Sequence, residues 1–274
     1  MYHKIQNAVA YIQDQLPDFL PQIGIVLGTG LGNLSREIDQ VLAIPYANIP
    51  HFAESTVESH AGKLIFGYLN GVAIVAMAGR FHYYEGYSME EVTFPIRVLK
   101  YLKIERLVIS NAAGGVQAHL YPGDLVFIKD HINLHAQNPL RGKNDERLGV
   151  RFPDMLKAYD SALNQQALAI AEKNNIRAFE GVYVGTQGPN LETPAEYNFF
   201  NLIGGAAVGM STVPEVLVAK HMNLPVFVVS VISNRCYPID EITETTVEDV
   251  IQVVNQAEAK LTLILKELLV TMVG

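Results

Sequence analysis

The feature that most constrains this chain is the alternation of short apolar runs with segments of helical periodicity. "QIGIVL", "KLIFGYL", "VAIVAMA", "RLVIS", "DLVFIKDHI", "GVYVGT" and "PVFVVSVI" read as buried strands. Asn70-Gly71, between the second and third, signals a tight hairpin. Ile5, Val9, Ile12 and Leu16 recur at helical spacing until Pro17. Ser88 and Glu91 have capping-box spacing and open a helix expected to reach about Tyr101, bent near Pro95. Residues 160–174 form another helix. "TPAE" starts a third with proline at its first position, and "TVPE" repeats the capping-box spacing. The last helix is expected from about Thr246 to Val270, with Thr245 and Glu248 as its box. This pattern predicts an α/β fold: a single domain spanning residues 1–274, with a mixed central β-sheet flanked by helices on both faces.

Composition bounds the function. With 274 residues, 49% hydrophobic and 18% charged, the chain buries a large core. A formal net charge of −8 argues against nucleic acid or an anionic membrane as the main partner, yet leaves room for a local anion site. The one cysteine, Cys236, excludes an internal disulfide framework and a Cys-rich zinc site. The N-terminus lacks a signal-peptide core and no apolar run reaches ~18 residues, so a soluble cytoplasmic protein is expected. Residues 133–155 are polar and irregular and read as a long surface loop, the kind of segment that usually serves a function.

Polar clusters fall at the carboxyl ends of the strands, where open α/β sheets bind ligands. "GTGLGN" follows the first strand, and its amides together with the Thr29 hydroxyl suit an anion. It reads equally as a tight turn, because Asn33 replaces the third glycine of the dinucleotide fingerprint. His60 lies in "ESHAG", either as a donor or as a solvated turn residue. "MAGRFHYYEGYS" closes an apolar strand with more chemistry. Arg80 offers a planar fork suited to phosphate, His82 follows two residues later, and Glu85 can hold the imidazole. The plain alternative is an Arg80–Glu85 ion pair. "SNAAGG" brings small residues, Ala112 among them, to another strand end. "VGMSTVPE" brings Ser211 to a helix start, as an anion donor or a simple cap. Glu192 in "GPNLETPAE" and Asn234 in "ISNRC" supply a carboxylate and an amide, a combination that reads the donor and acceptor edge of a heterocycle.

Taken together, "GTGLG", "HAG", "GRFHYYEGY", "TFPIRV", "SNAAGG", "DHINL", "NPLRGKNDERLG", "RFPDM", "GPNLET" and "VGMSTVPEV" stand in the order found in the trimeric, low-molecular-mass purine nucleoside phosphorylases. The resemblance runs from about residue 21 to the C-terminus. It implies phosphorolysis of purine (deoxy)ribonucleosides to free base and (deoxy)ribose 1-phosphate. No metal or organic cofactor is implied, inorganic phosphate being a co-substrate. By resemblance the phosphate lies among Thr29, Arg80, His82, Ala112 and Ser211, with His60 close by. Glu85 orients His82, and Tyr84 and Met210 line the sugar. Glu192 and Asn234 bind the purine edge, with Leu191 and Val208 on its faces. Phe152 reaches into a neighbour's site, which calls for a homotrimer.

Three positions depart from the family pattern. Leu191 stands where an aromatic commonly precedes the glutamate. "RCYPI" follows Asn234 in place of small apolar residues. Val247 takes the place of a histidine that contacts the sugar 5′-hydroxyl. By resemblance Asn234 favours 6-oxopurines such as inosine and guanosine. Val247 instead matches the apolar 5′ pocket of methylthioadenosine phosphorylases. The alternatives are therefore a 5′-methylthio-purine nucleoside phosphorylase and, from another class, a non-catalytic nucleoside-binding protein. The intact phosphate cluster speaks against the latter.

Overall fold

The computed structural model describes residues 1–28, 32–54 and 62–273. In chain order the strands are β1 (Ile23–Leu27), β2 (Asp39–Pro45), β3 (Lys63–Leu69), β4 (Val72–Ala78), β5 (Arg106–Gly115), β6 (Leu125–Asn133), β7 (Ala178–Gly185), β8 (Ala207–Gly209) and β9 (Val226–Arg235). The helices are α1 (Tyr2–Gln15), α2 (Met89–Tyr101), α3 (Ser161–Lys173), α4 (Pro194–Leu202), α5 (Val213–His221) and α6 (Val247–Met272). The described strands form one mixed sheet in the order β2-β3-β4-β1-β5-β8-β7-β6-β9. β9 also pairs with β5, so five of the strands close into a ring and neither β5 nor β9 is left with an open edge.

The side-chain period of two divides each strand between two cores. In β4, Val75 and Met77 join a cluster with α1, α2 and α5, while Ile74 and Ala76 face α3 and α6 on the other side. The expected α/β architecture with helices on both faces is what the chain adopts. β3 and β4 pair antiparallel across Asn70-Gly71, as the dipeptide signals.

Four local expectations are corrected. β2 was not foreseen. It is mostly exposed, so it lacks the apolar run that marks its neighbours. "NAAGG" is not a loop: β5 continues through Gly115, because β8 and β9 pair with its small residues. The cap of α6 is Thr246 with Asp249, one residue later than Thr245 and Glu248. Thr212 makes no side-chain cap bond to α5. Its partner by spacing, Glu215, is drawn into the interior instead.

β1, β4, β5 and β9 run parallel to one another, so their carboxyl ends share one edge of the sheet. Gly28 leaves β1 there. A Cβ at Gly28 would lie 2.6 Å from the Ser110 carbonyl oxygen, so only glycine lets β1 and β5 sit this close at the mouth of the site.

Candidate active site

A cleft of about 430 Å³ opens at that edge. One end is basic and hydroxylic. The chain leaves β4 through Gly79, whose carbonyl accepts from the buried Tyr46 hydroxyl at 2.8 Å. Arg80 then turns inward and is 1% exposed. Its guanidinium pairs with Glu215 of α5 at 3.0 Å and also donates to Thr212 and to the Ser110 carbonyl. The expected alternative partner, Glu85, is engaged elsewhere. Its Oε1 accepts from the His82 backbone N–H at 2.7 Å and stands 3.0 Å from His82 Nδ1. That double contact fixes the ring and makes Nε2 the nitrogen that Glu85 does not hold. Tyr84 stacks on His82 at 4.7 Å, with the planes 15° apart. Burial pushes the Tyr84 phenol up to about 12, so at neutral pH it remains a donor.

Ser211 enters from the β8–α5 junction. Val213 N–H donates to the Ser211 carbonyl at 2.7 Å across Thr212, whose φ is +69° and ψ −56°. This is a tight γ-turn that a β-branched residue adopts only at a cost of ~1–3 kcal/mol. Asn111 Nδ2 holds the Thr212 hydroxyl at 2.9 Å, and Arg80 holds it at 3.3 Å. The strain is therefore borne by the same residues that line the basic end.

The other end of the cleft carries an amide and a carboxylate. Asn234 extends from the end of β9, and Glu192 from the loop before α4. Thr186 Oγ1 donates to Glu192 Oε1 at 2.8 Å. Burial nevertheless raises the Glu192 carboxyl above the usual range. Asn234 Nδ2 donates to Cys236 Sγ at 3.2 Å, and its Oδ1 accepts from Ser233 Oγ at 2.7 Å. Leu191 and Val208 give this end apolar walls, Met210 lies toward Tyr84, and Ala112 also lines the cleft. The α6 N-terminus closes the side through Thr245, Thr246, Val247 and Val250.

One cleft thus brings together Arg80, His82, Tyr84, Ala112, Ser211 and, further along, Leu191, Glu192, Val208, Met210, Asn234 and Val247. Glu85 stands behind His82. Phe152 is not in the cleft; it is 86% exposed, with the Arg151 guanidinium 5.5 Å from its ring centre. Thr29 and His60 lie outside the described residues. Sequence reasoning missed Glu215, Asn111, Ser233 and Tyr197. Glu215 looked like a helix cap and Asn111 like turn filler. Nothing in the spacing marks Ser233 or Tyr197, which line the cleft only where β9 and α4 converge.

The cleft thus sets a basic, hydroxyl-bearing end against an end that carries a carboxylate and an amide. The model of the phosphorylase superfamily matches residues 22–270. Purine nucleoside phosphorylase 1 of Geobacillus stearothermophilus is 52% identical over 249 residues, 88% of this chain and 90% of that protein. The Mus musculus purine nucleoside phosphorylase is 49% identical over 81% of this chain and 78% of its own length. Among solved structures, isoform 2 of the Schistosoma mansoni purine nucleoside phosphorylase, in complex with cytosine and ribose-1-phosphate, superposes with a TM-score of 0.92 at 42% identity, covering 98% of this chain and 96% of that one. A schistosoma purine nucleoside phosphorylase in complex with hypoxanthine gives 0.90 at 39% identity, covering 97% of this chain and 96% of that one. The chain belongs to the phosphorylase superfamily and, within it, to the purine nucleoside phosphorylases.

Proposed function

We propose that this chain catalyses the phosphorolysis of purine nucleosides, with inosine and guanosine as preferred substrates. The observation that carries this is the two-ended cleft: Arg80, His82 and Ser211 at one end, Glu192 and Asn234 at the other. Phosphate is held by Arg80, His82 and Ser211, with the Ala112 backbone beside it. Glu85 fixes His82. The purine lies between Leu191 and Val208. Glu192 accepts from the N–H of a 6-oxopurine ring, and Asn234 bonds the base at N7.

As the C1′–N9 bond breaks, its electron pair goes to the base and the sugar becomes cationic. Asn234 stabilises the charge gathering on the base. The phosphate dianion faces the sugar cation and captures it, giving ribose 1-phosphate, while the base departs with a proton. Tyr84 and Met210 pack along the sugar. The reading requires no metal or organic cofactor; phosphate is the co-substrate. Ribose-1-phosphate in the Schistosoma mansoni isoform supports it. We further place the enzyme in the cytoplasm as a homotrimer, with the exposed Phe152 completing a neighbour's site. No helix among the described residues is long and apolar enough to cross a membrane.

A second reading rests on Val247, which gives the cleft an apolar side chain at the start of α6. It would make 5′-methylthio-purine nucleosides the substrates. The test of both is release of free base from inosine, guanosine, adenosine and 5′-methylthioadenosine, with and without phosphate. Phosphate-dependent turnover of inosine and guanosine, with adenosine slow, is expected. Phosphate-independent cleavage would make the chain a hydrolase, and preference for the methylthio substrate would establish the second reading.

A further inference from the structure

Phe152 is 86% exposed, so within its own chain the backbone that bears it sets its place. That backbone is tied down at several points. Arg151 Nη1 donates to the Leu140 carbonyl at 3.1 Å, the Tyr101 hydroxyl of α2 donates to the Arg147 carbonyl at 2.8 Å, and Leu148 is buried in the core. A further tie runs through the interior. Arg97 of α2, 5% exposed, has Nη1 3.4 Å from Nδ1 of His221, the last residue of α5. His221 Nε2 lies 3.2 Å from Asn144 Oδ1, and Asn144 Nδ2 donates to the Gly149 carbonyl at 3.0 Å. Gly149, at φ +148°, lies so close to the end of α5 that a Cβ there would collide with the His221 carbonyl oxygen.

These three bonds have one polarity. A guanidinium only donates, so Nδ1 accepts, and the imidazole is neutral with its hydrogen on Nε2. Nε2 then donates to the Asn144 oxygen, which turns the amide nitrogen toward Gly149. Burial, with the Arg97 charge beside it, lowers the His221 pKa and favours the same neutral form. We propose that His221 is a positioning residue: through Asn144 it holds the Gly149 segment against the end of α5 and so sets where Phe152 stands for a neighbouring subunit's nucleoside.

The other end of α5 meets the basic end of the cleft. Ser211 and Thr212 lead into the helix, and Glu215 in its first turn pairs with Arg80. Its nine residues span about 13 Å at 1.5 Å per residue, and nearly all of them are buried. One packed helix therefore fixes the phosphate end of its own cleft and the loop offered to the next subunit.

The role rests on the shared-site reading of the proposed function and is tested apart from it. Asn144→Ala removes two of the bonds and leaves Arg97 its acceptor; His221→Phe removes both ring nitrogens and keeps the bulk. In the full-length enzyme each should raise the KM for inosine about three- to tenfold, the worth of one neutral hydrogen bond, and leave the KM for phosphate within about twofold. Should His221→Phe fail to fold, Asn144→Ala carries the test. Added to Phe152→Ala, Asn144→Ala should cause no further loss, as residues that act through one another do. An unmoved inosine KM in Asn144→Ala beside a raised one in Phe152→Ala, or losses that add, would overturn the proposal. Equal rises in the two KM values would mark a general loosening of α5 and overturn it as well. Hydrogen–deuterium exchange needs no turnover. Amides of residues 144–152 should exchange about three- to tenfold faster in Asn144→Ala, and unchanged exchange overturns the pin whatever the kinetics show. If Phe152→Ala leaves the inosine KM where it was, the shared-site reading falls and takes the role of His221 in catalysis with it, while exchange still decides whether His221 pins the loop.

Discussion

Replacing Glu215 by glutamine tests the basic end of the cleft most directly. Arg80 and Glu215 pair at 3.0 Å with 1% and 2% of their side chains exposed. Neither charge has bulk water to fall back on. Removing one partner of such a pair costs about 3–5 kcal/mol, most of it the price of the charge left behind. Glutamine keeps the shape and one acceptor, so the low end, about 3 kcal/mol, is expected. For a chain of this size that corresponds to a melting temperature lower by roughly 6–12 °C. Phosphate should then close part of the gap. If it binds at Arg80, it supplies the missing counter-charge, and ligand at 100 times its Kd stabilises by about 2.7 kcal/mol. Because its arginine has lost the Glu215 carboxylate, the variant should gain more from phosphate than the wild type does. Thermal unfolding of both proteins, in saturating phosphate and in chloride of matched ionic strength, reads this. A Glu215→Gln melting point within about 2 °C of wild type would refute the buried-pair argument. Equal phosphate shifts in the two proteins would show that the anion does not meet Arg80.

Three further outcomes are expected. Glu85→Gln weakens the hold on His82 and should lower kcat/KM by about 1.5–3 kcal/mol in transition-state terms, the worth of a hydrogen bond to a charged group; an unchanged pH profile and rate would remove Glu85 from the mechanism. Glu192 has its carboxyl raised by burial, so on acidification it takes up its proton above the ordinary value of about 4.3 and stops accepting the purine N–H. The acid limb of kcat/KM for inosine should begin correspondingly early and flatten in Glu192→Gln, and a limb unaltered in that variant would assign it elsewhere. Val247→His should raise the ratio of kcat/KM for inosine over 5′-deoxyinosine by about five- to a hundredfold, the cost of an unpaired hydroxyl; a ratio that stays put would place Val247 outside the 5′ pocket.

Much of this architecture is legible in the sequence because the strands that carry it are apolar on both faces. β1, β4 and β9 are continuous hydrophobic runs, and each ends abruptly in polar residues at the same edge. β2 is the counterexample: its exposed face and the bulge between Gln40 and Leu42 blur its pattern. The His82–Glu85 contact is local in sequence, so spacing alone exposes it. The Arg80–Glu215 pair spans 135 positions, and no local rule connects them. Glu215 was misread for a physical reason. Capping-box spacing is necessary for a cap but not sufficient, and here Thr212 is held by Asn111 and Arg80 instead.

Helix α6 has a mechanical consequence. Its buried residues begin at Val254, and from there to Met272 it is clamped onto the sheet and α3. The seven residues before that, about 10 Å of helix at 1.5 Å per residue, overhang the clamp and touch the same core through Val250. That overhang carries Val247 and Val250 to the cleft, with Val247 67% exposed. Arg80 follows two residues after β4 and Asn234 lies at the end of β9, so these side chains stand at the ends of paired strands, whereas this wall is a helix end. On the proposed reading, substrates that differ at the sugar's far end meet a wall that takes part in no strand pairing.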